Sequence, residues 1–286
     1  MQDRVPQLVT TIAGLREAVA AARRAGQRIG LVPTMGALHE GHLSLVRAAK
    51  RECPCAVVSI YVNPSQFGPK EDLAAYPRTL DADLAALSAC RPDWVFAPSN
   101  QEMYARDHAT WVEVGSVAQP LEGVFRPGHF RGVTTVVLKL LNLVQPDAAY
   151  FGQKDFQQAC VIGRMAADLN VPVTIRVCPT VREPDGLAMS SRNRYLSPAA
   201  RQRAVVLWKS LQLARRLVEQ GERRAETILA GMRELVATAE DVQIDYVALA
   251  DPQTLQPVEA VSRPTLAALA VRIEGTRLID NCVLEP

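Results

Sequence analysis

No apolar run in the 286-residue sequence approaches the ~20 residues needed to cross a bilayer, and the first residues lack the charged, apolar and small-residue order of a secretory signal. A cytoplasmic protein with no membrane partner is expected. The six cysteines are scattered, with no CxxC pair and no Cys/His spacing of a zinc site, which argues against a disulfide framework or a structural metal. Charge of one sign is also missing: the formal net charge is +2, so there is no basic excess of the kind that nucleic acids select. Aromatics make up 5%, and lysine occurs only at 50, 70, 139, 154 and 209, leaving arginine as the default cation. What remains, 48% hydrophobic and 22% charged, is the composition of a soluble globular protein that binds small molecules.

The most informative stretch is Pro33-Thr34-Met35-Gly36-Ala37-Leu38-His39-Glu40-Gly41-His42. It follows an apolar run, Ile29 to Val32, that predicts a buried strand, and leads into residues 43–50, whose apolar spacing is helical. A strand-to-helix turn presents unpartnered backbone N–H groups and the positive end of the helix dipole, a ready site for phosphate. Gly36 and Gly41 allow close backbone approach, and imidazoles at i and i+3 share one side of the first turn. Zinc proteases of the HExxH type space their histidines at i and i+4 on a continuous helix, unlike the pair here. A histidine at a helix start can also serve as a cap.

The rest of the chain reads as alternating strands and helices. A helix is predicted from about Leu8 to Arg24, ending at Gly26, and an almost wholly apolar strand from Ala56 to Val62, as in a parallel strand covered on both faces. Its carboxyl end runs into Asn63-Pro64-Ser65-Gln66-Phe67-Gly68-Pro69. Ligands bind at that edge of open α/β sheets, which makes Asn63 and Gln66 candidate substrate contacts, with plain turn chemistry as the alternative. A helix at 79–90 and a strand at 93–97 follow. Residues 111–132 are irregular and rich in Gly, Pro, Arg and His, suggesting a lid, a substrate loop or an interface ahead of a helix from Val133 to Val144. The strand 148–151, the turn Gly152-Gln153-Lys154-Asp155 and a helix at 156–169 repeat the first strand-turn-helix. Lys154 could act there as a compact charge on phosphate, and Asp155 as a cap.

After a strand at 173–177, the polar segment 179–198 contains Met189-Ser190-Ser191-Arg192, hydroxyls beside a guanidinium that resemble a second phosphate clamp. Arginine-rich amphipathic helices at 198–220 and 223–239 and strands at 242–249 and 266–273 predict a smaller mixed domain. The residues alone leave open any HxGH nucleotidylyltransferase, including one whose nucleotide stays on the product.

Together, the 33–42 stretch, the Asn63-to-Gly68 loop, Arg126-Pro127-Gly128-His129-Phe130, Gly152 to Asp155 and Met189 to Arg192 closely resemble the pantothenate synthetase family of HIGH-type nucleotidylyltransferases, in the same order over nearly the whole chain. The resemblance implies an α/β fold with a Rossmann-like parallel-sheet domain binding ATP and pantoate (1–180) and a smaller α+β C-terminal domain (181–286) that carries the phosphate-clamp loop at its start. It also implies a homodimer, and ATP-driven condensation of (R)-pantoate with β-alanine, with Mg²⁺ accompanying the nucleotide. Carried over by motif, Met35, Gly36, Ala37, Leu38, His39, Glu40, Gly41 and His42 should hold ATP, with Gly152, Gln153, Lys154, Asp155, Val181, Met189, Ser190, Ser191 and Arg192. His39, His42 and Lys154 should be catalytic, and Gln66, Gln158 and Asn63 should bind substrate. Gln153 departs from the family's usual glutamate.

Overall fold

The computed structural model describes residues 6–69 and 71–286. Its strands and helices alternate along the first two-thirds of the chain: β1 (Gln7–Val9), α1 (Ile12–Arg24), β2 (Ile29–Thr34), α2 (Glu40–Glu52), β3 (Cys55–Ile60), α3 (Leu80–Ser88), β4 (Trp94–Phe96), α4 (Asn100–Met103), α5 (Glu122–Phe125), α6 (His129–Val144), β5 (Ala148–Gly152), α7 (Phe156–Asp168) and β6 (Thr174–Cys178). The remainder holds α8 (Pro198–Arg203), α9 (Val206–Glu219), α10 (Ala225–Ala237), β7 (Val242–Ala250), β8 (Thr265–Ile273) and β9 (Thr276–Leu284). By chain contacts they form two compact units. One comprises Met1–Val114, Arg126–Gly152 and Gln158–Pro179; the other comprises Gly115–Phe125, Gln153–Gln157 and Thr180–Pro286.

In the first unit, six parallel strands run in the order β1-β4-β3-β2-β5-β6. The central strands are almost wholly apolar because helices cover both faces: Leu31, Val57 and Ala149 join one buried cluster, and Val32, Val58 and Ala148 the other. This is the Rossmann-like arrangement, whose ligand edge lies at the strands' carboxyl ends. The second unit packs α9 and α10 on the antiparallel sheet β7-β8-β9 around Leu207, Leu211, Ile228, Met232 and Leu269. Among the described residues no helix is long and apolar enough to cross a membrane.

Four elements differ from the sequence reading. Leu8 lies in strand β1, paired with Val95, and α1 begins only at Ile12, where the Thr11 side chain accepts the Gly14 N–H. Apolar residues at 8 and 9 fit both a helix face and a short edge strand, and the cap decides between them. Helix α6 starts at His129 instead of Val133, because Gly128 adopts the left-handed conformation that turns the chain into it. The predicted helix over 198–220 breaks at Ala204 and Val205 into α8 and α9. β9 was not anticipated, and it completes the second sheet. The polar segment 179–198 is also more ordered than its composition indicates: Arg182 bridges Ala188 across a hairpin that ends in a 3-10 turn at Ser191–Tyr195.

Candidate active site

In the first unit the site is built on the turn from β2 into α2. Gly36 (φ 80°) and Ala37 (φ 49°) are successive left-handed residues, a conformation open to glycine but strained for alanine. The strain is held by Asp83 of α3, only 3% exposed, whose Oδ2 accepts the Ala37 N–H at 3.0 Å and whose Oδ1 accepts the Leu38 N–H at 2.8 Å. The Thr79 hydroxyl donates to the same carboxylate at 3.3 Å. Sequence reading missed Asp83; its one signal was an acidic residue on the buried helix face, at i and i+4 with Leu87.

The turn delivers His39 as the N-cap of α2. Its Nδ1 accepts the Gly41 N–H at 3.2 Å, and Nδ1 of His42 accepts the His39 N–H at 3.3 Å, so each ring caps a backbone donor near the other. The ring centroids lie 4.1 Å apart. An Nδ1 that accepts carries no hydrogen, which assigns the proton of each neutral ring to Nε2. The cap and the donor are therefore one arrangement: Nδ1 fixes the ring, and Nε2–H is what the ring can offer to an anion. Glu40 pairs with Arg47 two turns further along α2.

Gln66 meets this turn directly. Its Nε2 lies 3.2 Å from Sδ of Met35, and its Oε1 accepts from Nδ2 of Asn63 at 3.1 Å. Asn63 is wholly engaged, donating also to the Gly132 carbonyl at 3.1 Å and accepting from both the backbone N–H and the hydroxyl of Ser65. It orients Gln66. Helix α6 closes on this loop so tightly that a Cβ on Gly132 would stand 2.4 Å from the Ser65 carbonyl oxygen. The Arg126-to-Phe130 motif supports the same loop: Nδ1 of His129 donates to the Gln66 carbonyl at 2.8 Å, Arg126 bonds Nε2 of His129 at 3.0 Å, and Arg126 grips Glu71 bidentately at 2.7 and 3.0 Å. Gln158, in α7, is half-buried. A cavity of about 430 Å³ opens beside Met35 and Gly36, bordered by Arg78, Asp83 and Asn100.

Burial disfavours the charged form of Glu71, yet the Arg126 hydrogen bonds and charge, with the Gly68 N–H, outweigh it and hold the carboxyl down at about 2. A folded pKa below the unfolded one adds stability above the unfolded value, and that stability fades as pH falls through the folded one. Glu71→Gln is therefore expected to lower the melting temperature by a margin that is steady above about pH 5 and shrinks from there toward pH 3. A margin unchanged over that span, by thermal unfolding of both proteins, would show that the ion pair does not carry it.

In the second unit, Gln153, Lys154 and Asp155 form a 3-10 turn leading straight into α7, with Nζ of Lys154 3.7 Å from the Asp155 carboxylate. Val181 and Met189 pair across the hairpin through the Met189 N–H, and Ser190 caps the following turn by accepting the Arg192 N–H at 3.3 Å. Ser191 is buried and Arg192 half-buried. Of the predicted residues, Met35 to His42, Asn63, Gln66, Gly152 and Gln158 thus belong to the first unit, and Gln153 to Asp155, Val181 and Met189 to Arg192 to the second.

A family model described as pantoate-beta-alanine ligase matches residues 7–283. The pantothenate synthetase of Moorella thermoacetica is 54% identical over 279 residues, covering 98% of this chain and 99% of that protein. The crystal structure of pantothenate synthetase from Thermus thermophilus superposes with a TM-score of 0.94 at 45% identity, covering 98% and 100% of the two chains. A pantoate-beta-alanine ligase from Francisella tularensis, complexed with Beta-gamma ATP and Beta-alanine, superposes with a TM-score of 0.80 at 33% identity over 97% of each chain. With a match over nearly its whole length, the chain belongs to the pantoate-beta-alanine ligase family of enzymes.

Proposed function

We propose that the chain condenses (R)-pantoate with β-alanine to give pantothenate, AMP and pyrophosphate. The reading is carried by family membership across residues 7–283, and the paired Nδ1 caps that turn His39 and His42 into Nε2–H donors fit it. A carboxylate is a poor acyl donor. In the first step a pantoate carboxylate oxygen attacks the α-phosphorus of ATP, the bond to the bridging oxygen breaks, and pyrophosphate leaves. In the second the β-alanine amine attacks the acyl carbon of pantoyl adenylate, loses a proton, and AMP departs. Neither step needs a protein nucleophile, so positioning and charge stabilisation carry the rate.

His39 and His42 serve as donors to the departing pyrophosphate, aided by the first N–H groups of α2. Met35 to Gly41, Gly152 to Asp155, Val181 and Met189 hold the nucleotide, while Lys154, Ser190, Ser191 and Arg192 bind its phosphates. Gln66, oriented by Asn63, and Gln158 hold pantoate. Mg²⁺ enters on the triphosphate as part of the substrate. The neutral Gln153 keeps the lysine and aspartate of its motif beside it. The working form is a cytoplasmic homodimer.

Labelled pyrophosphate should exchange into ATP when pantoate is present and β-alanine is omitted, and adding β-alanine should release AMP. Release of ADP, or a nucleotide retained on the product, overturns the ligase reading.

A further inference from the structure

Strand β9 is otherwise apolar where it is buried, with Leu278, Cys282 and Leu284 in the core of the second unit, yet it carries Asp280 and Asn281 at 2% and 4% exposure. Successive residues of a strand point to opposite faces, so the two grip different neighbours. Both hydrogens of the Asn281 carboxamide go to one turn, donated to the backbone carbonyls of Gln153 at 3.0 Å and Lys154 at 2.8 Å. Asp280 takes Arg182 bidentately, Nη1 to Oδ2 at 2.6 Å and Nη2 to Oδ1 at 2.9 Å, and its Oδ1 also accepts the Asn281 N–H at 2.8 Å.

Arg182 is itself tied down. It donates to the Gly186 carbonyl at 3.0 Å, and its guanidinium carbon sits over the Trp208 ring, 3.8 Å from the centroid. Through its bridge to Ala188 it anchors the hairpin that runs into Ser190 and Arg192, and β9 also abuts the Ser191–Tyr195 turn. One dipeptide therefore holds two loops that lie far apart in the chain. Stability alone does not ask for this arrangement, since well-packed apolar residues hold a sheet as well as a buried ion pair does. The Oδ1 of Asn281 is buried without a hydrogen-bond partner among the described residues, a penalty the strand accepts while both donors stay on the Lys154 turn.

We infer that Asn281 is a positioning residue for the reaction: it fixes the backbone of Lys154 from β9, in a frame that the Asp280–Arg182 pair shares with the serine–arginine loop. The inference rests on the assignment of Lys154 to the phosphates. A lysine carried on a turn that can shift by an ångström loses its place against a transferring group, and misplacement of that size reduces rate by up to about 100-fold.

A double-mutant cycle on the full chain tests it, with pantoate-dependent pyrophosphate exchange and the melting temperature read for each protein. Asn281→Ala is expected to slow exchange by roughly 10- to 100-fold when Lys154 is present and by less than about twofold in a Lys154→Ala background. Asn281→Ser, which retains one donor, should recover part of the rate. An equal loss in both backgrounds means a merely structural asparagine, and no loss in either means none is needed; both overturn the inference while leaving the ligase reading standing. Full activity of Lys154→Ala overturns the lysine assignment and this inference with it. Should Asn281→Ala fail to fold, the serine variant carries the same comparison.

Discussion

His42→Ala is expected to slow pantoate-dependent pyrophosphate exchange by about 10²-fold or more, the loss typical of removing one prepositioned donor from a developing anion. The substitution removes two things at once. Nε2–H is gone as a donor, and so is the Nδ1 acceptor that receives the His39 N–H at 3.3 Å. The second loss is a capping loss of about 1 kcal/mol in helix stability, and by freeing the entry to α2 it also loosens His39. His42→Asn separates the two roles, because a carboxamide oxygen on a short side chain can still cap while no donor reaches as far as Nε2. The asparagine variant should therefore recover the melting temperature of the parent and little of its exchange rate. Exchange within a few-fold of the parent in both variants would remove His42 from the chemistry and leave it a cap.

Much of this site could be read in the chain. The turn at 33–42 was legible because strand, glycines, histidines and helix are contiguous, and contiguous features need no knowledge of tertiary contacts. Helix and strand positions followed periodicity, and where periodicity erred the cause was local. Gly128 starts α6 through a left-handed φ that a reader of Arg-Pro-Gly-His takes for a loop, and the Thr11 cap moves the start of α1 past a strand that apolar spacing alone does not distinguish. Hidden instead were the residues that act from a distance. Asp83 lies 46 positions from Ala37, His129 63 positions from Gln66, and Asn281 127 positions from Lys154, and none contacts its target through a recognisable spacing. Such supports look like ordinary polar residues until burial shows that their hydrogen bonds have nowhere else to go. The Asn63 carboxamide is marked in the sequence by its place at the ligand edge, and only the fold shows its hydrogen bonds to the Gln66 side chain and the Gly132 carbonyl.

Asp83→Ala should be the most damaging change that touches no residue assigned to a substrate. Both carboxylate oxygens accept backbone N–H groups in a buried setting, and truncation leaves the Ala37 and Leu38 donors unmet, at roughly 1–3 kcal/mol each. Those donors sit where the chain is already strained by consecutive left-handed residues, so the turn has a reason to relax once released. Relaxation moves His39, the next residue, and unseats the reciprocal histidine caps. Asp83→Asn keeps the shape but turns one acceptor into an NH₂ donor facing an N–H, so it should fall between the parent and alanine. The expected pattern is a drop in unfolding free energy of about 2–6 kcal/mol for alanine, with a loss of exchange rate larger than that in β-alanine-dependent turnover of preformed pantoyl adenylate. The difference follows from the proposed role of the histidines as donors to the departing pyrophosphate, which has left before the amine attacks. If the two half-reactions fall by the same factor, or alanine leaves stability within about 0.5 kcal/mol of the parent, Asp83 does not hold the turn in the way its two hydrogen bonds indicate.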